Sequence, residues 1–317
     1  MAQRILVTGG AGFIGSHTVD LLLSEKKEVV VLDNLSSGRL ENLDLTHPHL
    51  EFIEGDILEF PLLQDLVQTC DAVLHLAAIA SVPLSIEEPI YSFQVNTQGF
   101  LHVLQAVHKA ERDVRLVYAS SAAVYGKTEE LPCRDDRPLS GQLLSPYALQ
   151  KLHDEDYAKL YMKLHGIKSL GLRYFNVYGS RQDPHSPYSG VISRFLDAYK
   201  RNEEITIFGD GKQSRDFIHI NDVAMANWLA LKNDFAGMLN IATGKPETLL
   251  DLVNYLQEAG GKSAVLRFLP GRTGDIPSSY ATTTQAAEHI QFRHRVSLKE
   301  GIKGMVSEKL PDNSIKS

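Results

Sequence analysis

The run Arg4-Ile5-Leu6-Val7-Thr8 leads straight into Gly9-Gly10-Ala11-Gly12-Phe13-Ile14-Gly15, after which apolar residues recur at helical spacing through Ser24. This order of strand, glycine loop and helix constrains the fold more than any other feature of the chain. A chain can leave a strand and enter a helix within a few residues only where its backbone is free of Cβ clashes. A helix starting so close to a strand packs back onto it, and the next strand then lies parallel to the first.

The alternation continues. Glu28–Asp33, Glu51–Glu54, Ala72–Leu76 and Arg115–Ala119 are short runs rich in Val, Ile and Leu. They lack the polar-apolar alternation of a half-exposed sheet, so both faces are expected to be covered. Between them Ile14–Ser24, Phe60–Thr69, Thr97–Ala110 and Pro146–His165 carry apolar residues at helical spacing, and Lys168–Phe175 adds a further strand. The pattern predicts an α/β fold, a Rossmann-like doubly wound parallel sheet with helices on both faces.

Beyond about Tyr178 the texture changes to glycine, proline and polar clusters at 179–190, 209–213 and 269–277. Short helices are expected at Val191–Arg201, Asp222–Lys232 and Leu249–Glu258, with short strands near Ile205–Phe208, Arg215–His219 and Val265–Leu269. The expected organisation is therefore 1–178 as the sheet domain and 179–317 as a smaller α/β C-terminal substrate lobe, interleaved with the first at its edge. The 317 residues suit two such units at about 150 residues each.

Charge and cysteine content exclude several classes. With 32 Lys+Arg against 39 Asp+Glu, the net charge of −7 and the lack of a long basic run argue against nucleic acid or an anionic membrane as partner. Two separated cysteines, Cys70 and Cys133, form no disulfide framework and no C-x-x-C metal pair, which fits a reducing, cytoplasmic setting. No apolar stretch reads as a signal peptide or a membrane span. The 12 histidines include no H-x-x-x-H on an expected helix, so no metal site is expected.

Chemistry enters at two places. The glycine loop opens a helix whose N-terminal N–H groups can receive a pyrophosphate. Asp33, ending the second strand, can bond both hydroxyls of an adenosine ribose and would repel a 2′-phosphate, favouring NAD over NADP. Asp56 could bond the adenine amine or simply close a surface turn. The second place is Ser145-Pro146-Tyr147-Ala148-Leu149-Gln150-Lys151, behind a strand that ends at Ser120-Ser121. Ser145 and Pro146 are good helix-starting residues, and Tyr147 and Lys151 stand one turn apart on one face. A phenol near its ordinary pKa of about 10 is a poor base, but a neighbouring ammonium favours the phenolate. Ser121 can hydrogen-bond the reacting oxygen.

These motifs resemble the extended short-chain dehydrogenase/reductase family, and within it the UDP-hexose 4-epimerases. The likeness runs from Thr8-Gly9-Gly10-Ala11-Gly12-Phe13-Ile14-Gly15 to about Gly304. Further matches are Asp33-Asn34-Leu35-Ser36-Ser37-Gly38, Gly55-Asp56-Ile57, His75-Leu76-Ala77-Ala78, Ser120-Ser121-Ala122-Ala123-Val124-Tyr125-Gly126 and Arg173-Tyr174-Phe175-Asn176-Val177-Tyr178-Gly179. Another is Gly209-Asp210-Gly211-Lys212-Gln213-Ser214-Arg215-Asp216-Phe217.

The resemblance implies that tightly held NAD oxidises the sugar at C4, and that the 4-keto sugar turns about its diphosphate link and is reduced on the other face. It implies Tyr147 as base and acid, Lys151 as its tuning cation and holder of the cofactor ribose, and Ser121 as the donor to O4. Cofactor contacts are implied at Gly9, Gly12, Phe13, Ile14, Gly15, Asp33, Asn34, Ser37, Gly38, Asp56, Ile57, Leu76, Ala77, Ala78, Asn96, Tyr147, Lys151 and Tyr174. Substrate contacts are implied at Ser81, Ser121, Tyr147, Asn176, Gln182, Val191, Phe208, Arg215, Arg272, Asp275 and Ser279.

Within the family, dehydratases resemble one another in an Asp-Glu pair after the catalytic Ser/Thr, and decarboxylases carry a glutamate there. Here Ala122 and Ala123 stand in those places, which points to simple epimerisation. Ser279 aligns with a gate residue whose small size admits N-acetylated sugars; a one-place shift would put Tyr280 there and favour plain hexoses. Arg181-Gln182-Asp183-Pro184 with Ser186-Pro187-Tyr188 resembles the loop over the sugar in epimerases of N-acetylated hexoses. The enzyme alternative is a UDP-uronic acid 4-epimerase, which needs a cation such as Arg181 at the sugar C6. A non-catalytic dinucleotide-binding protein is the alternative outside enzymes, disfavoured by the intact Ser121, Tyr147 and Lys151. A homodimer is expected through a four-helix bundle built on Thr97–Ala110 and Pro146–His165.

Overall fold

The computed structural model describes residues 3–139, 141–183, 190–271 and 276–308. The first strands and helices alternate: β1 (Arg4–Thr8), α1 (Phe13–Ser24), β2 (Glu28–Asp33), β3 (Leu50–Glu54), α2 (Phe60–Thr69) and β4 (Ala72–His75). Next come α3 (Val82–Glu87), α4 (Pro89–Phe93), a π turn at Gln94–Gln98 and α5 (Gly99–Lys109). Then follow β5 (Arg115–Ser121), a 3₁₀ turn at Ala122–Tyr125, α6 (Pro146–His165), β6 (Ser169–Tyr174) and β7 (Asn176–Tyr178).

The C-terminal third holds α7 (Val191–Arg201), β8 (Ile205–Phe208), β9 (Ser214–His219), α8 (Ile220–Leu231) and β10 (Gly237–Ile241). It continues with β11 (Pro246–Thr248), α9 (Leu249–Gly260), β12 (Leu266–Leu269), β13 (Ser278–Ser279), α10 (Thr284–Ile290) and α11 (Leu298–Ser307).

Seven strands form one parallel sheet in the order β10-β6-β5-β4-β1-β2-β3. Successive residues on each strand enter opposite layers, as the two-residue period of a strand demands. Ile5, Val7, Val29 and Val31 pack with α1 and α8 through Val19, Leu22, Val223 and Trp228. Leu6, Val30, Leu32 and Val73 pack with α2, α5 and α6 through Leu63, Phe100, Val103 and Ala158. The expected uninterrupted apolar strands are thus the consequence of two covered faces. From β1 the chain proceeds to β2 and β3 on one side, and β4 returns on the other. The crevice at the carboxyl ends of β1 and β4 is the topological switch point, where such sheets bind ligands.

Several elements differ from the sequence expectation. Helix α8 and strand β10 belong to the large sheet's layers although they lie past Tyr178, β10 pairing in parallel with β6. Helical backbone before α5 begins at Pro89 rather than Thr97, because Ser92 and Asn96 are buried and turned to polar partners on α6. Their polarity hides the helix from an apolar-periodicity reading. Beyond the sheet, α7, α9 and α11 close over β8 around Phe195, Ile207, Leu252 and Ile302. A small sheet ordered β11-β9-β13, with β7 also on β9, joins this lobe to the end of β6.

Candidate functional site

The loop from Gly9 to Gly15 at the end of β1 is drawn tight. Gly9 donates to the Leu32 carbonyl at 2.9 Å and has φ of +71°, a conformation that favours glycine. A Cβ on Gly9 would stand 2.7 Å from the Ala77 amide nitrogen, and one on Gly15 would collide with the Gly9 carbonyl oxygen. Gly12 caps α1 without a side chain, leaving the first-turn N–H groups of Phe13, Ile14 and Gly15 at the crevice. The backbone alone therefore shapes a cradle for a pyrophosphate.

Asp33 ends β2 beside this cradle. Its carboxylate accepts from the Ala11 and Leu35 amides at 2.9 Å each. Burial raises its pKa, and those two hydrogen bonds pull against the rise. A Cβ at Gly38 would lie 2.8 Å from Asp33 Oδ1, so the glycine leaves that face of the carboxylate open. Two carboxylate oxygens carry about four lone pairs, so a ribose diol can still be received. Asn34 donates to Asp56 at 2.8 Å, joining the loops after β2 and β3, while Ser37 is exposed nearby. Ile57 is buried against Gly99. Leu76 is partly buried against the core, and the Ala77 amide meets Thr8 Oγ1 at 3.4 Å, with Ala78 following. Taken together, these residues fit a dinucleotide lying along the carboxyl ends of β1, β2 and β4.

On the other side of the crevice, Ser121 ends β5, its Oγ accepting from the Ala123 amide at 3.2 Å. Helix α6 starts where the sequence predicts, with Ser145 Oγ accepting from the Ala148 amide at 3.1 Å and Pro146 in the first turn. The Tyr147 amide, otherwise an unpaired helix-start donor, reaches Ser85 Oγ at 3.1 Å. Tyr147 and Lys151 are both buried, on the first two turns of α6. Lys151 Nζ lies 3.2 Å from Asp154 Oδ2.

Beneath this group runs a buried polar chain that the sequence reading did not single out. Ser120 Oγ donates to Glu155 Oε1 at 2.7 Å, and Arg173 grips both Glu155 oxygens at 2.8 and 2.6 Å. Arg173 also donates to the Tyr125 hydroxyl at 2.8 Å, which donates to Asn240 Oδ1 at 2.7 Å. A signal existed: Glu155 follows Lys151 by four residues, and a lone arginine sits inside the apolar run of β6. His75 is buried, with Nδ1 2.8 Å from Thr8 Oγ1. Burial and then the Lys151 charge push its pKa down to about 3.

Some expected contacts are otherwise engaged. Asn96 spends its amide on Ile79 N at 2.8 Å, Ile79 O at 3.1 Å and Gln150 at 2.7 Å, pinning the loop after β4 to α6. Tyr174 turns its hydroxyl to Asn227 of α8 at 2.6 Å. Ser81 caps α3 by accepting from the Leu84 amide at 3.0 Å. Gln182 Nε2 meets the Val177 carbonyl at 3.5 Å, with Val191 half-buried at the start of α7. Arg181 pairs with Asp20 of α1 at 2.8 Å, and Arg39 with Asp183 at 3.0 Å.

In the small sheet, Arg215 of β9 stands opposite Ser279 of β13, so the two side chains share a face. Arg215 donates to the Ile276 carbonyl at 2.6 Å. Asn176 stands opposite Phe217, two residues along that face, and donates to the Asp216 carbonyl at 3.2 Å. Phe208 ends β8, half-buried. Arg272, Asp275, Pro184 and Ser186-Pro187-Tyr188 lie outside the described residues. Among the described residues no cluster of His, Cys, Asp or Glu could hold a metal, and no helix is long and apolar enough to cross a membrane.

Comparison with known proteins agrees with this geometry. Residues 5–242 match the model of the NAD dependent epimerase/dehydratase family. A Methanocaldococcus jannaschii protein, provisionally called a UDP-glucose 4-epimerase, is 40% identical over 307 residues, covering 96% of this chain and 97% of its own. The solved UDP-N-acetylglucosamine 4-epimerase of Methanobrevibacter ruminantium, in complex with UDP-N-acetylmuramic acid, is 37% identical with a TM-score of 0.90. The likeness covers 96% of this chain and 98% of that one. The UDP-glucose 4-epimerase of Thermotoga maritima, with UDP-glucose, is 37% identical with a TM-score of 0.88, covering 96% and 97%.

Proposed function

The chain belongs to the NAD-dependent epimerase/dehydratase family, as an extended short-chain dehydrogenase/reductase of the UDP-hexose 4-epimerase kind, and on that premise we propose that it interconverts UDP-GlcNAc and UDP-GalNAc. UDP-Glc and UDP-Gal are proposed as smaller substrates of the same pocket. NAD, when bound, supplies the two-electron acceptor that makes C4 a ketone and then restores it as an alcohol.

The chain's own residues do the rest. The Gly9–Gly15 cradle and the first turn of α1 hold the pyrophosphate, and Asp33 holds the adenosine ribose. Tyr147 Oη takes the proton of the sugar 4-OH and later returns it, while Ser121 Oγ hydrogen-bonds O4. The Lys151 ammonium favours the phenolate by its charge. Arg215, with Arg272 from the sequence, neutralises the diphosphate, since forked guanidinium donors suit phosphate oxygens. Ala122 and Ala123 offer no acid or base of their own, which favours simple epimerisation over water loss or decarboxylation.

Substrate size rests on one observation. Ser279, not Tyr280, is the strand partner of Arg215, so the small residue stands on the face assigned to the nucleotide-sugar. Arg181 is drawn to Asp20, which gives the uronic acid reading no free cation from that side chain. Incubating the purified protein with UDP-GlcNAc, UDP-Glc and UDP-GlcA, without added cofactor, tests the reading. Interconversion of the N-acetylated pair is expected; turnover of UDP-GlcA alone would replace it.

The same proposal includes a homodimer. Exposed apolar side chains lie on α3, α4 and α6: Ile86 is 58% exposed, Ile90 76%, Phe93 47% and Leu149 43%. A second copy covering α6 and the α4–α5 run as a helical bundle would bury them. Light scattering on a sizing column should return twice the chain mass.

A further inference from the structure

Lys151 has a partner that the reaction does not require. Its side chain is 2% exposed, and Nζ lies 3.2 Å from Oδ2 of Asp154, whose side chain is 0% exposed. The other oxygen, Asp154 Oδ1, is buried with no hydrogen-bond partner among the described residues. A buried carboxylate with one bare oxygen is costly, and packing alone would favour an apolar residue. Ala158, one turn further along, is such a residue, packed into the core.

The groups around this pair are few. Glu155, next on the helix, is neutralised by Arg173 of β6. His75 of β4 is held neutral by burial and by Lys151. Tyr118 of β5 is kept protonated by burial, with Glu155 and Asp154 adding to the effect. Lys151 is the cation that the Asp154 carboxylate meets directly. Burial pushes that carboxyl up to about 7, with Lys151 opposing the rise and Glu155 assisting it.

We infer that Asp154 is the counter-ion of Lys151, a positioning residue that moderates the ammonium's pull on the Tyr147 phenolate and so sets the acid limb of activity. The inference rests on the reading of Tyr147 as the base. Tyr147 and Asp154 are seven residues apart, two helical turns, or about 10 Å along the axis. At an effective dielectric of about 20, an ionised carboxylate at that distance opposes phenolate formation by about one pH unit. The carboxylate also holds Nζ in place. Asp154 therefore trades phenolate stability for a fixed ammonium, and its own ionisation is coupled to that of the base.

The test compares the holoenzyme as purified with its Asp154→Asn, Asp154→Leu and Asp154→Glu variants. In the Asn and Leu variants the acid limb of the kcat profile for UDP-sugar epimerisation should move to lower pH, by up to about one unit. KM for the UDP-sugar should stay unchanged, and Asp154→Glu should restore the wild-type limb. A readout independent of turnover is the phenolate absorbance titration, taken as the difference between each protein and its Tyr147→Phe counterpart. It should shift in the same direction. An unmoved limb and an unmoved titration, with only a lower melting temperature, would make Asp154 purely structural and overturn the inference. Should the Asn variant fail to fold, Asp154→Leu, similar in size and apolar, carries the same comparison. A wild-type protein that converts no UDP-sugar refutes the proposed function, and the absorbance titration still decides the role of Asp154.

Discussion

Replacing Arg173 with methionine perturbs the buried polar chain that joins β5, β6 and α6. The wild-type pair is fully enclosed, at 4% and 0% exposure, and its two bonds of 2.8 and 2.6 Å use both Glu155 oxygens. In Arg173→Met, Glu155 keeps only the Ser120 hydroxyl, and Tyr125 loses its donor. An uncompensated buried charge of this kind costs about 3–5 kcal/mol. For a chain of this length each kcal/mol corresponds to roughly 2 °C, so melting should fall by about 6–10 °C.

Glu155 would escape part of that cost by taking up a proton. A carboxyl whose pKa is raised in the folded state stabilises fully below its unfolded pKa and loses that contribution as pH rises through the folded value. The deficit should therefore be larger at about pH 8 than at about pH 5. The double variant Arg173→Met/Glu155→Leu removes both charges and should regain most of the loss. Urea unfolding of the three proteins at both pH values measures all of this. A single variant within about 1 kcal/mol of wild type, or a double variant no better than the single, would refute the argument.

Other consequences follow from the same structure. His75, held neutral with its pKa near 3 against an ordinary 6.5, binds its proton only when the chain unfolds. Its contribution to stability is thus lost as pH falls below about 6.5, by about 2 kcal/mol at about pH 5, and urea unfolding of His75→Asn should show a flatter acid slope. Gly15→Ala places a methyl against the Gly9 carbonyl; the protein should purify without bound NAD, read from its absorbance after denaturation, and full retention would remove the cradle assignment. Ser279→Tyr should abolish turnover of UDP-GlcNAc while sparing UDP-Glc, whereas equal loss of both would mean that another residue forms the gate.

The parts of the molecule legible in the sequence are those whose physics is local. The strand, glycine loop and helix at the N-terminus depend on neighbours a few residues apart, and the glycines that clash when given a Cβ are the ones the motif contains. Ser145, Pro146, Tyr147 and Lys151 are likewise read from a single helix start. Strand β10 was not legible. It is three apolar residues with Asn240 among them, and it is a strand because β6 offers an edge, 67 residues earlier in the register Gly237↔Leu170. The short strands β11 and β13 exist only as partners of β9 and carry no pattern of their own.

The polar interior explains why a sequence reading singles out Ser121, Tyr147 and Lys151 and not the buried groups packed against them. Asn96 reads in the sequence as a lone polar residue, and its amide holds residues 79 and 150 together. Glu155 and Asp154 look like the solvated acids of an ordinary helix, yet each faces inward because a cation is there to meet it. For Glu155 that cation lies 18 residues away on β6; for Asp154 it is Lys151, one turn back, with both side chains enclosed. Burial of a charge is decided by tertiary packing, and a sequence records only its two ends. The consequence for the site is that Tyr147 and Ser121 are positioned from beneath, through Ser85 to the Tyr147 amide and through Ser120 to the residue beside Ser121. The ion pairs Arg173–Glu155 and Lys151–Asp154, both enclosed from solvent, belong to the same support. On the proposed reading, the choice among sugars that differ at C2 then falls to the Arg215–Ser279 face.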